Sequence, residues 1–515
     1  IHFTENPSHM LLDLKVGNLT EPVSGRSWDG LEIRRQVARR IARFQCHQLA
    51  PGDRVFLPFG NRLEFFVELL AIWRLGACAV PIDARLTPFE IETLVTAALP
   101  RLAVVDDATD AAVVAALRAA GVGVIETVNT GDEEAVAGLS RLDDDALILF
   151  TSGSTGAPKG VVHTHRSLRA RWLSLREHLG VADFARTLCL LPTHFGHGLI
   201  CNCLFPWLSG QDLFITPPFR PEIIMRLGAL LDEHRITFMS SVPSIWRLAL
   251  KLARPPSAGT LQRVHCGSAP LSAHVWEEIR QWTGTRQVCN AYGITETGSW
   301  AAGLSNADVT VEDGLVGEGW GAVIKVLRAA DTCAPLAVDV ECQVGEQGFV
   351  WLNTAALMKG YFQRDDLTEK AVIDGWFLTG DIGFIDPLGR LVLRGRERDE
   401  INKGGMKIYP ADIDAVVERF EHTGDVCTFA LDDAIYGQTV GIAIVLNRRD
   451  DETIRALHQW MTAHLAEHKL PGRWWIVDEI PRTSRGKINR DAVNAACIGL
   501  PSLDLPKILA GGEQT

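Results

Sequence analysis

The chain has 515 residues, of which 47% are hydrophobic and 22% charged, and its formal net charge is −12. This length predicts about two to four compact units, and the composition excludes disorder as the main state. The acidic balance argues against a surface built for nucleic-acid phosphates or anionic lipid, but it leaves room for a small anionic ligand in a local basic pocket.

The cysteines and the apolar runs indicate the type of compartment. Eleven cysteines are scattered without the paired spacing of a zinc site. We therefore expect reduced, mostly buried thiols. No apolar run reaches the roughly 18 residues that a membrane-spanning helix requires, and the first residues lack a signal-peptide pattern. These features favour a cytoplasmic protein without a membrane span.

From residue 54 onward, short apolar runs alternate with amphipathic stretches. The apolar runs predict strands at Val55–Pro58, Ala77–Ile82, Leu102–Val105, Ala146–Phe150, Thr187–Leu191, Leu213–Thr216, Ile236–Ser240, Arg263–Cys266 and Gln287–Asn290. The amphipathic stretches predict helices at Leu63–Leu75, Pro221–His234 and Ala273–Trp282. This alternation favours βαβ units and mainly parallel sheets, with ligands bound where loops leave the carboxyl ends of strands.

Past residue 300 the pattern changes to glycines and short β-like segments, at Val323–Leu327, Gly348–Leu352 and Leu391–Leu393. We expect an antiparallel or barrel-like portion there. The charged stretch at 395–400 then precedes a compact α+β pattern. The predicted fold class is α/β, with a large N-terminal domain (1–396) of βαβ-type sheets plus a barrel-like β portion. A small mobile α+β C-terminal domain (397–515) follows it.

The stretch TSGSTGAPKG at 151–160 combines glycines, hydroxyls and one lysine directly after a predicted strand. Glycines let backbone N–H groups turn toward one point, and a lysine suits phosphate oxygens. The spacing of Gly153, Gly156 and Lys159 differs from that of a Walker-type P-loop. Taken alone, the stretch fits a phosphate cradle or a flexible surface loop equally well.

Four further motifs follow in order: YGITE at 292–296, TGD at 379–381, GRERD at 395–399 and PRTSRGK at 481–487. Together the five motifs resemble the adenylate-forming superfamily of acyl-CoA synthetases, stand-alone adenylation enzymes and firefly-type luciferases. The resemblance covers about residues 30–495. It implies a ligase that joins a small-molecule carboxylic acid to the α-phosphate of ATP, releases pyrophosphate, and then transfers the acyl group to a thiol.

The resemblance also implies roles for individual residues. The β- and γ-phosphates would lie against Thr151, Ser152, Gly153, Ser154, Thr155, Gly156 and Lys159. Thr295 would donate to the α-phosphate, and Glu296, with Thr155 nearby, would bind Mg²⁺. The adenine would lie between the turn Gly267, Ser268, Ala269 and Pro270 and the segment Asn290, Ala291, Tyr292 and Gly293, whose tyrosine would stack on the base. Asp381 would accept from the ribose hydroxyls, assisted by Arg396.

Lys487 matches the lysine that bridges the carboxylate and the α-phosphate in this family. The family then rotates its small domain about a hinge, here Arg398, which withdraws the lysine. Gly404 and Gly405 would then lie along the channel of a pantetheine arm. The acceptor would be either coenzyme A or the phosphopantetheine of a separate acyl carrier protein.

The acyl pocket departs from the family pattern. In LPTHFGHGL at 191–199, Phe195 takes the position where many acyl-CoA synthetases have a histidine. The spacing of His194 and His197 also fits a metal pair, but a third ligand is missing. Further pocket candidates are Ser241, Val242, Cys266, Ile294 and Trp300. This neutral set favours an apolar or aromatic acid.

Two alternatives remain open at this point. A stand-alone amino-acid adenylating enzyme is disfavoured because Gly196 occupies the position of the aspartate that pairs with an amino group. A nucleotide-binding scaffold without catalysis is disfavoured because Lys487, Thr295 and Glu296 are all present. The basic residues Arg247, Lys251 and Arg263 are interpreted as a solvated face or a docking surface for a carrier.

Overall fold

The computed structural model describes residues 15–128, 133, 140–151, 158–218, 220–305, 309–328, 340–403, 406–433, 435–483 and 486–510. Its helices are α1 Gly30–Cys46, α2 Leu63–Arg74, α3 Pro88–Ala98, α4 Ala111–Ala119, α5 His165–Leu179, α6 Phe205–Leu208, α7 Pro221–Met225, α8 Leu227–Glu233, α9 Pro243–Leu252, α10 Ala273–Thr283, α11 Asp365–Ala371, α12 Pro410–Glu418, α13 Asp451–His464, α14 Arg490–Ile498 and α15 Leu505–Ala510. A π-helical segment, His197–Leu204, precedes α6.

The strands before residue 300 are β1 Leu19–Glu21, β2 Arg26–Trp28, β3 Arg54–Leu57, β4 Cys78–Pro81, β5 Leu102–Val105, β6 Gly123–Glu126, β7 Asp145–Thr151, β8 Lys159–Thr164, β9 Arg186–Cys189, β10 Asp212–Ile215, β11 Phe238–Ser241, β12 Arg263–Gly267, β13 Val288–Ile294 and β14 Ser299–Gly303. Those that follow are β15 Leu315–Gly319, β16 Val323–Leu327, β17 Gly348–Asn353, β18 Gly360–Tyr361, β19 Val372–Ile373, β20 Trp376–Ile385, β21 Leu391–Arg396, β22 Ile401–Lys403, β23 Met406–Ile408, β24 Thr423–Asp433, β25 Gly437–Leu446 and β26 Arg473–Ile476.

The largest sheet changes character along its width. Its strand order is β16-β17-β20-β21-β15-β14-β13-β12-β11-β9-β10-β1-β2, with β19 also paired to β20. From β13 to β1 neighbouring strands are parallel, and from β13 to β16 they are antiparallel. The change of pattern that the sequence shows past residue 300 therefore coincides with the change from parallel to antiparallel pairing.

Two further sheets complete the fold. The second has the order β18-β8-β7-β4-β3-β5-β6 and is parallel except at β7/β8 and β8/β18. The third, β23-β22-β25-β24 with β26 beside β25, uses only strands after residue 400. The predicted fold class, a large sheet-based N-terminal part followed by a small α+β part, is confirmed.

The main hydrophobic core lies between the first two sheets and contains nearly all of α2. This helix is apolar around most of its circumference, which is the pattern of a buried helix. Its two acids are neutralised within the protein: Glu64 pairs with Arg26 at 2.7 Å, and Glu68 pairs with Arg40 at 3.2 Å. Burial raises the pKa of Glu68, and the pairing with Arg40 acts against that shift.

The predicted strands occur close to where the apolar runs stand, but the single helix predicted over Pro221–His234 is wrong. The chain forms α7 and α8, separated at Arg226, whose φ of −96° and ψ of 8° are not helical. We attribute the break to tight packing beyond it. A Cβ added to Gly228 would lie 2.1 Å from the Arg254 carbonyl oxygen, so the backbone of α8 runs against residues 254–255.

Candidate active site

The strand pair β7/β8 places the first motif near one edge of the second sheet. Thr151 and Lys159 face each other across the pair, and the Thr151 hydroxyl donates to the Lys159 carbonyl at 3.5 Å. The predicted phosphate ligands between them, Ser152, Gly153, Ser154, Thr155 and Gly156, lie outside the described residues. The Lys159 ammonium lies 5.7 Å from the ring centroid of Tyr361.

Tyr361 connects this lysine to the predicted magnesium ligand. Its hydroxyl donates to Oε1 of Glu296 at 2.8 Å. Burial and the neighbouring carboxylate raise the pKa of Tyr361, so the phenol remains a hydrogen-bond donor at neutral pH. Lys159 and Glu296 are 137 residues apart in the chain, and both contact the side chain of Tyr361.

The turn that carries Thr295 and Glu296 is held by its backbone. Nε2 of the buried His163 lies 2.8 Å from the Thr295 carbonyl oxygen, and Arg171 donates to the Thr297 carbonyl at 2.8 Å. The backbone N–H of Met358 donates to the Glu296 carbonyl at 2.7 Å. Burial lowers the pKa of His163 to about 4, so a neutral imidazole donates from Nε2. The turn is thereby fixed from three different elements.

The predicted ribose site forms a second cluster. Asp381 is buried on β20, and its Oδ1 pairs with Nε of Arg396 at 2.9 Å on the adjacent β21. Its Oδ2 accepts a hydrogen bond of 2.5 Å from the Tyr292 hydroxyl. The negative charge of Asp381 raises the pKa of Arg396 first, and Glu296 contributes in the same direction. The two carboxylates therefore lie within electrostatic reach of one guanidinium.

The predicted adenine segments lie at the carboxyl ends of neighbouring parallel strands. β12 ends at Gly267 and leads into Ser268, Ala269 and Pro270, while β13 carries Asn290, Ala291, Tyr292 and Gly293. A Cβ on Gly267 would lie 2.2 Å from the Ala291 carbonyl oxygen, so only glycine fits. The Asn290 amide donates to the Leu315 carbonyl at 2.8 Å, which commits one of its donors to the fold.

His197 is buried, and its nearest hydrogen-bond and ring partners are neutral side chains. Its Nε2 lies 2.6 Å from the Ser240 hydroxyl and its Nδ1 lies 2.8 Å from the Ser268 hydroxyl. The ring centroids of Phe195 and Trp300 lie 5.8 and 5.5 Å from the centroid of the His197 ring. Burial, and secondarily the charge of Lys487, lower the pKa of His197 to about 3, so this imidazole is neutral. The charge of Lys487, from the C-terminal part, therefore acts in the same direction as burial on the pKa of His197.

The other pocket candidates separate into two groups. Ser241, Val242, Cys266 and Trp300 are buried at or beside the carboxyl ends of β11, β12 and the start of β14. Ile294 is half-buried against the cluster that contains Tyr361. His194 does not join this group, because its Nε2 lies 3.6 Å from the carboxylate of Asp83. Within the described part of the chain, no group of three or more potential ligands could hold a metal ion, which argues against the His194–His197 metal pair.

Gly196 lies between His194 and His197 and packs closely. A Cβ added there would be 3.3 Å from Leu149 and 3.7 Å from Cγ2 of Thr295. The loop therefore touches the turn that carries Thr295.

The C-terminal residues are described in part. Lys487 lies in a short hairpin. The backbones of Arg482 and Ile488 form an antiparallel β-bridge there, and the Thr483 N–H donates to the Lys487 carbonyl at 2.8 Å. Arg398 is exposed and lies 3.4 Å from Asp399. Gly404 and Gly405, predicted for the thiol channel, lie outside the described residues.

The solvated-face interpretation of the basic residues is wrong for Arg247 and Arg263. Arg263 is buried and pairs with Asp183 at 2.8 Å, whereas Arg247 pairs with Glu418 of the C-terminal part. Lys251 is exposed and donates to the Gly424 carbonyl at 3.4 Å. These contacts place α9 against the small part of the molecule.

The site thus brings cations and carboxylates from both parts of the chain to one region. It contains Lys159, Glu296, Arg396 and Asp381, with Lys487 beyond His197. Such a set can neutralise a polyphosphate and hold a ribose. Residues 18–362 match the family described as AMP-binding enzyme, and residues 412–487 match the AMP-binding enzyme C-terminal domain. The chain belongs to the AMP-binding enzyme family.

Members of this family with known activities resemble the chain along most of its length. The long-chain-fatty-acid–CoA ligase FadD13 of Mycobacterium tuberculosis is 29% identical over 455 residues, covering 85% of this chain and 87% of that protein. The 2-succinylbenzoate–CoA ligase of Bacillus velezensis is 28% identical, covering 89% and 91%. ATP-bound MatB from Rhodopseudomonas palustris superposes with a TM-score of 0.83 at 25% identity, covering 95% and 99%.

These likenesses establish the reaction class that the motifs predicted. The family member described here is an ATP-dependent, AMP-forming acid–thiol ligase that works through an acyl-adenylate. None of its described helices is both long and apolar enough to cross a bilayer.

Several residues that build the site were not predicted. His163, Arg171, Ser240 and Tyr361 carry no recognisable motif. The chain contains only four tyrosines, and two of them, Tyr292 and Tyr361, hold site carboxylates. The scarcity of tyrosine is the one sequence signal that could have drawn attention to Tyr361.

Proposed function

We propose that this ligase activates an aromatic or other apolar monocarboxylic acid and transfers the acyl group to free coenzyme A. The observation that carries the choice of acid is the neutral enclosure of His197 beside Lys487. The acid would place its carboxylate near the Lys487 ammonium. Its remainder would then extend along the wall formed by His197, Phe195 and Trp300.

The contacts of His197 disfavour a second charge on the substrate. Both ring nitrogens are already hydrogen-bonded to serine hydroxyls, and the two aromatic neighbours carry no charge. A tail carboxylate or ammonium against this wall would lose its hydration without gaining an ionic partner there. Dicarboxylic acids and α-amino acids should therefore be poor substrates. Coenzyme A is supported as the acceptor by relatives that are named as CoA ligases.

The roles of the ATP site follow from the same geometry. Lys159 and the segment before it would hold the terminal phosphates, Thr295 the α-phosphate, and Asp381 with Arg396 the ribose. Glu296 would hold Mg²⁺, which partly neutralises the polyphosphate when bound. A single protein carboxylate fits this ion, because Mg²⁺ typically keeps its waters and takes its other ligands from substrate phosphates. The hydroxyl of Tyr361 orients this carboxylate.

The test is ATP–pyrophosphate exchange by the full chain with four sets of acids: benzoate-type, medium-chain fatty, dicarboxylic and α-amino acids. We expect exchange with one of the first two sets to exceed the others by at least about tenfold, which corresponds to roughly 1.4 kcal/mol of discrimination. Best exchange with a dicarboxylic or amino acid would overturn the proposed acid class.

The accepted acid is then offered with coenzyme A or with a phosphopantetheinylated carrier protein. Thioester formed faster on the carrier would overturn the proposed acceptor. The control is Lys487→Ala, which should abolish exchange but spare thioester formation from supplied acyl-AMP, because only the first step needs the lysine at the carboxylate. Equal loss of both steps would contradict the role of Lys487.

A further inference from the structure

Four charged side chains join the large part of the molecule to the hairpin that carries Lys487. Arg247, in the middle of α9, pairs through Nη2 with Glu418, the last residue of α12. Its Nη1 lies 3.8 Å from Asp425. The other oxygen of Asp425 pairs with Nη2 of Arg482 at 2.6 Å. We call Arg247, Glu418, Asp425 and Arg482 the interdomain cluster.

The cluster is shielded and balanced in charge. The exposed fractions of its side chains lie between 10% and 21%, so solvent screens these pairs less than it screens surface ion pairs. Two guanidinium groups meet two carboxylates. Burial raises the pKa of Glu418, and the charge of Arg247 opposes that shift. Removing one member would leave a partly buried charge without its partner.

The cluster leads directly to the catalytic hairpin. Nη1 of Arg482 donates to the Gly486 carbonyl at 3.3 Å, and Thr483 bonds to the backbone of Lys487 in both directions, at 2.8 and 3.2 Å. Asp425 therefore holds Arg482 at the base of the hairpin in which Lys487 pairs with Thr483. Arg247 holds Asp425 and Glu418 from the opposite side, on a helix whose N-terminal cap, Val242, lies beside the proposed acyl wall.

Further contacts converge on the same surface. Arg419 pairs with Asp313, and Ser272, the N-terminal cap of α10, lowers the pKa of Glu418 against the effect of burial. The end of α12 is thus bound by α9, by the start of α10 and by residue 313. Arg247 is the member that contacts both carboxylates of the cluster.

We propose that Arg247 is a positioning residue for the adenylation step, which it serves by holding the Lys487 hairpin against the acid-binding wall. The inference rests on the proposed function, in which Lys487 acts in the first step only. The cluster must open when Lys487 withdraws, so it favours the arrangement for adenylation over the arrangement for thioester formation.

The test compares the two half-reactions in Arg247→Met, which keeps the apolar stem and removes the charge. We expect ATP–pyrophosphate exchange to fall by about tenfold or more, while thioester formation from supplied acyl-AMP changes less than about twofold. The matched control is Arg263→Met, which breaks another partly buried ion pair, with Asp183, inside the large part. That variant should alter both half-reactions to the same extent. Equal loss of both half-reactions in Arg247→Met would overturn the proposal.

Two additional variants separate positioning from general destabilisation. Arg247→Glu should be worse in exchange than Arg247→Met, because a third carboxylate then faces Glu418 and Asp425. Combining it with Glu418→Arg should restore part of the exchange. Absence of any restoration in a double variant that unfolds at the wild-type temperature would also overturn the proposal.

Hydrogen exchange provides a readout that does not depend on activity. In Arg247→Met we expect faster amide exchange over residues 410–425 and 482–488 than in the wild type, and unchanged exchange in the second sheet. Unchanged exchange over residues 482–488 would mean that the cluster does not hold the hairpin. If the wild type gives no pyrophosphate exchange with any acid, the proposed function fails, and hydrogen exchange still decides the role of Arg247.

Discussion

At the residue scale, Asp381, which we propose to hold the ribose, is held in place by two side chains. A carboxylate has about four acceptor positions, and here one is taken by the Tyr292 hydroxyl and one by Arg396. The remaining positions suffice for two ribose hydroxyls. Both protein partners also fix the rotamer of the carboxylate before a nucleotide arrives, which lowers the entropy cost of binding.

The contribution of the Tyr292–Asp381 hydrogen bond to ATP binding can be measured with Tyr292→Phe, which removes the hydroxyl and keeps the ring. Because a hydrogen bond to a charged group contributes about 1.5–3 kcal/mol, we expect the KM for ATP to rise roughly tenfold with little change in kcat. Steady-state pyrophosphate exchange at varied ATP concentration provides the measurement. An unchanged KM in a correctly folded variant would show that Asp381 does not depend on Tyr292 for its position.

The sequence indicated some of these residues better than others. The TGD motif points to Asp381 as the proposed ribose ligand, because the motif is local to the residue. His163 and Tyr361 were missed because their partners, Thr295 and Glu296, lie 132 and 65 residues away in the chain. A backbone carbonyl as the partner, as for His163, leaves no trace in the sequence of either residue.

At the element scale, β13 and β14 form the hairpin that presents Thr295 and Glu296. The predicted strand ended at Asn290, where the apolar run ends, but the structure continues β13 to Ile294. The extension arises from antiparallel pairing with β14, which apolar periodicity within one strand does not show. The pairing is so close at Gly293 that a Cβ there would lie 1.6 Å from the Ser299 carbonyl oxygen.

This close approach predicts that Gly293→Ala separates the two strands and displaces the turn. We expect pyrophosphate exchange to fall by about 100-fold or more and stability to fall by about 2 kcal/mol or more, because backbone atoms must move. Thermal unfolding and exchange kinetics provide the measurement. Gly499→Ala is the control, since an added Cβ there meets no atom within 4 Å, and it should leave both quantities nearly unchanged. A fully active Gly293→Ala variant would contradict the close pairing.

At the scale of the whole molecule, the sequence predicted the order and class of the parts but not their contact surface. Arg247 and Arg263 have the same interpretation from the sequence, yet Arg263 pairs within the large part and Arg247 pairs with Glu418 of the small part. Such pairing depends on the three-dimensional arrangement of elements that lie far apart in the chain. The residues within the motifs were predictable because each motif brings its own local chemistry.

The large part also buries several neutral histidines. Burial lowers the pKa of His163 and His165 to about 4 and that of His197 to about 3, against an unfolded value of about 6.5. Below pH 6.5 these histidines bind protons in the unfolded chain but stay neutral in the folded chain until the pH approaches 4. The stability contributed by these residues is therefore complete above pH 6.5 and is lost as the pH falls toward 4.

We expect each of these histidines to remove on the order of 1 kcal/mol of stability by pH 5.5. Urea unfolding at a series of pH values measures the slope. His165→Gln should reduce the acid-induced loss of unfolding free energy by the contribution of one histidine. His274→Gln, at an exposed position, should leave the dependence of that free energy on pH unchanged. A stability that stays constant between pH 7.5 and 5 would refute the interpretation.

The tight seat of Gly196 has an evolutionary consequence. An aspartate at that position would provide a counter-ion for an amino substrate. Its first side-chain carbon would lie 3.3 Å from Cδ1 of Leu149, so Leu149 would have to shift, and 3.7 Å from the methyl group of Thr295, which is an ordinary contact distance. The same replacement would therefore repack Leu149 next to the residue proposed to hold the α-phosphate. A change toward amino-acid activation would be easier in a chain with a smaller side chain at position 149.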